Sequence, residues 1–277
     1  MIKIYGNPSP LSHSDISYTP GISPLQRHIL ETMITHPEVA VYRNLNELRF
    51  DLAMRESIIQ SAYALNQSGA SFAVFSRAYC NPMYWIRTSN GGFQLRPDRR
   101  PSDAIRNIFQ QGDLYGFECA TAIIIVFYHA VLQILGDQTF NELFQGLYIR
   151  DWQHDQDLHV ITRKYRMYIP GDVRYFKNPD HDPMRPEWQG ENVVDVGYGL
   201  YYGHGIGIRS GAEIIAFLNG LRYPMAQRSA YLLDQATRIR SSQLYPYYSH
   251  DGRALDTLYR ESVHYASARI GSSLMLA

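Results

Sequence analysis

Two residues that could carry out covalent chemistry stand side by side in this sequence. In GDLYGFECATAIIIVFYHAVLQIL, residues 112–135, a glycine-bounded turn leads into Glu118 and Cys119, and an almost unbroken apolar run follows. A free cysteine is often a small core residue. The alternative is an activated nucleophile, because a thiol at a helix start lies at the positive end of the helix dipole, which lowers its pKa. Glu118 can face Cys119 only from the turn before the helix.

A thiol nucleophile needs a base, and three residues in strand-like segments are candidates. Glu191 follows a proline-rich loop containing Trp188, and burial against that indole would raise its pKa toward the range that suits a base. An exposed acid at a strand edge is the alternative for Glu191. His204, in the run GHGIG, is equally consistent with a base and with a core histidine, and His159 is the third candidate.

The first half of the chain is predicted to be largely helical. Asn44 and Glu47 form a capping-box pattern at the start of a long amphipathic segment. Asn90-Gly91 is a hairpin signal between two short strands. The predicted helices cover residues 24–35, 45 to near 68, 103–110, 119 to near 136, and 139–147, with strands at 71–75, 83–88 and 93–95.

The second half is predicted to be mainly strands followed by helices. Strand-like segments cover residues 158–176 (broken at Pro170-Gly171), 191–196 and 197–208, and helical segments cover 212–221 and 227–237. A further helix is predicted near 255–268. Because strands and helices do not alternate regularly, the pattern favours an α+β fold over a doubly wound sheet.

Composition excludes several classes of protein. The 277 residues carry a formal net charge of zero without a basic stripe, so nucleic acid is not an expected partner. No basic segment followed by an apolar one opens the chain, and the apolar run 120–135 is shorter than the ~20 residues of a membrane span. We therefore expect cytoplasmic synthesis and no membrane association. No cysteine and histidine spacing fits zinc, and the acids flanking His181 make a weak metal site, so we expect no metal or cofactor.

Several segments together resemble the spore-coat transglutaminases of Bacillus, which are protein-glutamine gamma-glutamyltransferases. They occur in the expected order and cover roughly residues 25–238: FECATAI (117–123), YFKNP (175–179), WQGENV (188–193), GHGIG (203–207), SAYLL (229–233) and QATR (235–238). The resemblance implies a single compact papain-like domain of the NlpC/P60 type, in which a central helix carrying the nucleophile packs on an antiparallel sheet.

The resemblance also implies roles for individual residues. The nucleophile falls on Cys119, its glutamate partner on Glu191, and the glutamate that shares or supports that role on Glu118. His204 and Asn192 fall at supporting positions. The aromatic residues of a substrate tunnel fall on Phe72, Trp152, Tyr175 and Trp188, and no metal is implied.

The implied reaction is calcium-independent cross-linking of glutamine and lysine side chains of spore-coat proteins through a cysteine thioester, by a monomer deposited on the coat. One alternative is a cysteine peptidase or amidase on the same fold. Another is a non-enzymatic coat component, since 22 tyrosines suit contacts with other proteins. We divide the chain into an irregular arm (1–24), a catalytic domain (25–240) and a C-terminal extension (241–277).

Overall fold

A computed structural model describes residues 1–6, 9–12 and 21–248, and the backbone of 267–270 and 273–276. The helices are α1 (Pro24–Thr35), α2 (Leu45–Gln67), α3 (Pro101–Gln110), α4 (Cys119–Leu143), α5 (Gly211–Asn219) and α6 (Ser241–Leu244). The first strands are β1 (Ile2–Ile4), β2 (Ala40–Tyr42), β3 (Ser71–Phe72), β4 (Trp85–Arg87), β5 (Phe93–Leu95), β6 (Gly116–Phe117) and β7 (Tyr148–Ile149).

The later strands are β8 (Val160–Arg163), β9 (Val173–Lys177), β10 (Gly190–Gly197), β11 (Leu200–Gly203), β12 (Gly207–Ser210), β13 (Tyr231–Leu232), β14 (Ala236–Ile239), β15 (Ser267–Ile270) and β16 (Ser273–Leu276). The seven-stranded main sheet has the order β12-β11-β10-β9-β14-β8, with β13 also paired to β9, and all its pairs are antiparallel. The predicted α+β class is confirmed.

The main core lies between the sheet and two long helices. Helix α4 packs on α2 and on β10, so it runs through the middle of the molecule. Val194 and Val196 point from β10 into this core, whereas Val193 points to a smaller core on the opposite face with Phe176 and Ile214. Alternate residues of β10 therefore serve two different cores.

Helix α4 is broken at Gly136, as the sequence predicted. Gly136 has φ 76°, in the left-handed region that glycine adopts at little cost, and a short helical segment follows. By length and composition the whole 25-residue helix could cross a membrane, but 78% of its most apolar 18-residue window is buried inside the protein. It is the central helix of the core.

The N-terminal arm and the C-terminal boundary differ from the sequence-based division. Residues 2–4 are not irregular, because β1 pairs in parallel with β2 and buries Ile2 completely. Residues 241–248 are not separate from the catalytic domain, because Leu244 is fully buried and Tyr245 and Tyr248 pack against Phe50 of α2.

Two predicted helices also differ from the structure. Residues 227–237 contain β13 and the start of β14 instead of a helix, because hydrogen bonding to β9 and β8 overrides the local periodicity. The helix predicted near 255–268 falls mostly outside the described residues, and its last two positions lie in β15, which pairs with β16.

Candidate active site

Cys119 occupies the first turn of α4, at the inner end of a cleft. The preceding strand β6 pairs in parallel with β3, which fixes the direction in which the chain enters the helix. Glu118 is the N-cap residue and has an extended backbone conformation, so the helix starts immediately at Cys119. The thiol is only 8% exposed. Its position at the helix start is the one the sequence predicted.

Strand β10 brings two further polar side chains to the thiol. Asn192 is on the face that carries Val194, toward α4, and its Nδ2 donates a hydrogen bond to Cys119 Sγ over 3.4 Å. Glu191 precedes it and points to the other face of the sheet. The backbone N–H of Asn192 also favours the thiolate, so Asn192 contributes two donors beside the sulfur.

Glu191 is a fully buried acid, which excludes the exposed strand-edge interpretation. Among the described residues, none donates a hydrogen bond of normal geometry to either of its carboxylate oxygens. Burial raises the pKa of Glu191 well above that of an ordinary carboxyl, and the nearby charge of Glu118 raises it further, while the backbone N–H of His204 opposes this weakly. The direction agrees with the sequence-based prediction.

The thiol pKa moves opposite to the prediction from the helix dipole. Burial and the negative charge of Glu191 raise the pKa of Cys119 to about 12, and Glu118 adds to the rise, whereas the two donors of Asn192 lower it. Because the raising influences prevail, a position at a helix start does not give a resting thiolate here. Attack by this sulfur needs a base to remove its proton.

Glu118 is half-buried at the mouth of the cleft. Burial and the charge of Asp151 raise its pKa, Glu187 adds a smaller rise, and the backbone N–H of Phe75 and the charge of Arg150 lower it. It lies in the turn before α4, as required for it to act beside Cys119. It also influences the pKa of both Cys119 and Glu191, which makes it part of the same electrostatic unit.

The cleft is a cavity of about 550 Å³ that leads from the surface to the thiol. Its mouth carries Glu118, Asp151 and Glu187, and its walls include the aromatic side chains of Trp152 and Tyr175. Such a mixture of polar and aromatic walls suits a long side chain with a polar end.

The loop that carries Trp152 is attached to α4 by two hydroxyl groups. The backbone N–H of Asp151, which has a left-handed φ of 53°, donates to Thr121 Oγ1 over 2.9 Å. The backbone N–H of Asp155 donates to the Tyr128 hydroxyl over 2.8 Å. The helix that holds the thiol thus also holds one wall of the cavity.

Tyr175 forms the second aromatic wall because it pairs directly opposite Asn192 in the sheet. Its ring lies over Gly190, where an added Cβ atom would come within 2.3 Å of the tyrosine Cζ. A side chain at position 190 would therefore displace this wall, which explains the glycine in the segment WQGEN.

Only part of the predicted tunnel lies in this cavity. Phe72 and Trp188 are not among the residues that line it; their rings stack on each other with centroids 5.2 Å apart, and Trp188 also meets Phe217. They belong to the smaller core on the face of the sheet toward which Glu191 points. Trp152 and Tyr175 thus lie on one face of the sheet, and Phe72 and Trp188 lie on the other. The sequence alone could not assign the four residues to these two faces.

Neither histidine candidate contacts the thiol. His204 is buried, and its Nε2–H donates to the Ser71 carbonyl over 3.1 Å while the Tyr202 hydroxyl lies 3.1 Å from Nδ1. Burial lowers the pKa of His204 to about 4, so the ring is neutral and ties β11 to β3. His159, at the end of a 3-10 turn, is not among the residues that line the cavity.

Comparison with known proteins identifies the family. The family model described as protein-glutamine gamma-glutamyltransferase matches residues 1–248, which includes the N-terminal arm and residues 241–248. This chain belongs to that family. The transglutaminase is 48% identical over 222 residues to the protein-glutamine gamma-glutamyltransferase of Bacillus mycoides (strain KBAB4), with 80% of each chain covered.

Other comparisons agree. The protein of the same name from Bacillus cereus (strain B4264) is 48% identical over 224 residues, with 81% of each chain covered. The solved structure of a transglutaminase from Geobacillus stearothermophilus, without its C-terminal extension, superposes with a TM-score of 0.72 at 48% identity, covering 75% of this chain and 100% of that one. The transglutaminase family and the papain-like α+β fold with Cys119 on the central helix are thus confirmed.

The transglutaminase also contains site residues that the sequence analysis missed. Asp151, Glu187 and Thr121 had not been singled out, although Asp151 precedes the selected Trp152 and Glu187 precedes Trp188. Asp151 and Glu187 each stand next to a selected aromatic residue, and Thr121 lies on the helix of the nucleophile. These neighbours in the sequence could have marked the three residues as candidates.

Proposed function

We propose that the transglutaminase uses Cys119 as its nucleophile and Glu191 as the principal base, with Glu118 in a shared or supporting role. One observation carries this proposal: the Cys119 sulfur lies at the inner end of an aromatic-walled cavity, beside the Asn192 amide and the charge of a fully buried carboxyl group. Glu191 does not line the cavity and neither of its oxygens is hydrogen-bonded to the sulfur, so we propose that the thiol proton reaches it when substrate binding brings the two groups together.

In the first half of the reaction, ionised Glu191 takes the Cys119 proton as the sulfur attacks the carboxamide carbon of a substrate glutamine. When the C–N bond breaks, the same proton passes to the departing nitrogen, and ammonia leaves. The products are a thioester on Cys119 and a Glu191 carboxylate ready for the next step.

In the second half, the neutral amine of a substrate lysine attacks the thioester carbon. Its proton goes to Glu191 or Glu118, the C–S bond breaks, and Cys119 recovers its proton as the isopeptide bond forms. Trp152 and Tyr175 support this step because apolar walls pack against the methylene stem of lysine and exclude competing water.

Two hydrogen-bond donors are suited to stabilise the oxyanion in both halves. The backbone N–H of Cys119 lies in the first turn of α4, where no carbonyl of the preceding turn is available to it. The Nδ2 of Asn192 already lies within 3.4 Å of the sulfur. Removal of one such donor typically lowers kcat about 100- to 1000-fold, which we expect for Asn192→Ala.

We further propose that the reaction is independent of calcium and that its substrates are spore-coat proteins. The described residues contain no group of three or more His, Cys, Asp or Glu side chains arranged to hold a metal ion, which supports catalysis by side chains alone. Activity should survive an excess of calcium chelator.

We also propose that the chain is made in the cytoplasm, is a monomer and is deposited on the spore coat. A fluorescently tagged chain expressed in a sporulating Bacillus should therefore accumulate at the spore surface, and fluorescence spread through the cell would contradict this.

The decisive experiment measures incorporation of a fluorescent primary amine into a glutamine-bearing protein. Cys119→Ala should abolish incorporation without changing the circular dichroism spectrum. Cys80→Ala is the matched control, since Cys80 is the second free thiol and is not among the residues lining the cavity. Full activity of Cys119→Ala would end the proposal. Production of glutamate alone in excess amine would support the amidase alternative.

The two glutamates are distinguished by isosteric substitutions. Glu191→Gln should lower kcat/KM about 100-fold or more, because it removes a general base. Glu118→Gln should lower it less, because Glu191 remains. Equal losses, or a larger loss for Glu118→Gln, would reverse the assignment of the principal base.

A further inference from the structure

The positive charge of this transglutaminase is carried almost entirely by arginine. Of its 26 lysine and arginine residues only three are lysines, namely Lys3, Lys164 and Lys177. The difference is chemically relevant here, because a lysine amine is an acceptor in the reaction whereas a guanidinium remains protonated and is not a nucleophile at biological pH.

Geometry accounts for arginine at some positions. Arg87 donates to four backbone carbonyls, those of Phe75, Ser76, Ala78 and Thr88. Arg174 donates to two carbonyls, and both Nε and Nη2 of Arg238 bind the Asp172 carboxylate. A single ammonium group could not replace these planar, multidentate contacts.

Other arginines have no such geometric reason. The side chains of Arg77, Arg166 and Arg240 are exposed and make no hydrogen bond, ion pair or ring contact with the described part of the chain. A lysine would supply the same charge and solubility at these positions. What distinguishes arginine there is that it cannot be acylated by a thioester.

The three lysines are not equally available. Lys164 forms an ion pair with Asp234, although both side chains are largely exposed. Lys3 on β1 and Lys177 at the end of β9 are exposed and form no ion pair with the described residues. These two amines are the ones free to approach the active site of another copy of the enzyme.

We infer that the surface of this transglutaminase is a poor acceptor for its own reaction because guanidinium groups carry its positive charge, and that Lys3 and Lys177 are the positions at which it can be acylated. This inference rests on the proposed transfer to lysine amines. Copies of the enzyme concentrated on a shared glutamine-rich substrate would then cross-link that substrate without becoming fixed to it.

The test uses N,N-dimethylated casein, a glutamine donor whose own amines are blocked. Any covalent casein–enzyme conjugate must then use a primary amine of the enzyme, and denaturing gels with peptide mapping report its amount and position. The Arg77→Lys/Arg166→Lys/Arg240→Lys variant raises the unpaired exposed amines from two to five, so conjugation should rise roughly two- to threefold. Lys3→Arg/Lys177→Arg should remove most conjugates, and Lys164→Arg should change little.

Incorporation of a fluorescent amine into the same casein is measured in parallel. If it is unchanged in the triple variant but conjugation does not rise, the inference is overturned. Conjugates mapping mainly to Lys164 would overturn the assignment of the two accessible amines. If the unaltered enzyme does not incorporate the fluorescent amine into the casein, the proposed function itself is contradicted.

Discussion

At the scale of single residues, the site differs from a thiolate–imidazolium pair. Burial raises the pKa of both Cys119 and Glu191, so their uncharged forms are favoured before substrate arrives. A neutral thiol is a poor target for oxidants and alkylating agents, since the thiolate is the reactive form. The buried site therefore combines potential reactivity with chemical protection.

The pH dependence of the reaction should respond to Glu118. Because the charge of Glu118 raises the pKa of Glu191, Glu118→Gln should lower that pKa and move the acidic limb of the kcat/KM profile to lower pH. Steady-state rates with a glutamine peptide would show the shift. Glu31→Gln, an exposed change on α1, is the control and should leave the limb in place. An upward shift in Glu118→Gln would contradict the electrostatic assignment.

Glu191 should also lower stability at alkaline pH. A carboxyl whose folded pKa exceeds its unfolded value costs nothing below the unfolded pKa, and its cost grows as pH rises toward the folded pKa. Glu191→Gln should therefore stabilise the fold by about 1–2 kcal/mol at pH 8 and by much less at pH 4. Urea denaturation at the two pH values measures this, and equal effects at both would be inconsistent with a buried acid.

Single residues were predictable from sequence where a motif or a helix start marked them. The helix start at Cys119 and the burial that raises the pKa of Glu191 were predicted in that way, whereas the roles of the two residues as nucleophile and base stay predictions. The direction of the Cys119 pKa was not predictable, because it depends on how deeply α4 is covered and on which carboxyl groups the sheet brings beside it.

At the scale of secondary structure, α4 organises the site twice. Its first residue carries the thiol, and the hydroxyls of Thr121 and Tyr128 hold the loop of residues 150–155 against the first three turns of the helix. The distance between nucleophile and cavity wall is thus fixed within one element and its attached loop. Such rigid support is what precise substrate placement requires.

Thr121→Val should loosen this arrangement without creating a cavity, since the two side chains have similar shapes. The unpaired Asp151 N–H should cost about 1–3 kcal/mol of stability, and displacement of Trp152 should lower kcat/KM by roughly 10-fold or more. Thr35→Val is the matched control, because its hydroxyl bonds only within its own helix. Unchanged kcat/KM in Thr121→Val would show that the loop is positioned by other contacts.

Secondary structure was predictable where the pattern was long or capped. Helix α2 begins after Asn44, whose side chain accepts a hydrogen bond from the Glu47 N–H over 2.9 Å. The predicted capping box is not complete, because the Glu47 carboxylate accepts from the backbone N–H of Arg43 and not from that of Asn44. The strands β13 and β14 were missed because they are short and their partner β9 is more than 50 residues away along the chain.

At the scale of the whole molecule, buried charges join the ends of the described domain. Asp172 binds both Arg55 and Arg238, and Asp51 accepts from the Tyr42 and Ser241 hydroxyls at 2.7 and 2.6 Å. Contacts of this kind between distant segments are not visible in a sequence. They explain why the catalytic domain extends past residue 240.

Truncation should reveal this boundary. A chain ending at residue 248 keeps the Ser241 contact and the packing of Leu244, so it should retain amine incorporation and its melting temperature to within a few degrees. A chain ending at residue 240 should have a melting temperature several degrees lower, because it exposes Phe50 and lacks the Ser241 hydroxyl that donates to Asp51. Differential scanning calorimetry of the two chains is the measurement, and equal melting temperatures would restore the boundary at 240.

The apolar character of α4 has a consequence for how the enzyme fails. In the folded state this helix is covered on nearly all sides, but once the sheet separates from it, a segment apolar enough to enter a bilayer meets water. At roughly micromolar to millimolar protein concentration, exposed apolar segments of this kind associate between chains in competition with correct repacking. Heat inactivation should therefore be irreversible and concentration-dependent, so the working lifetime of the enzyme is set by its rate of unfolding and not by its equilibrium stability.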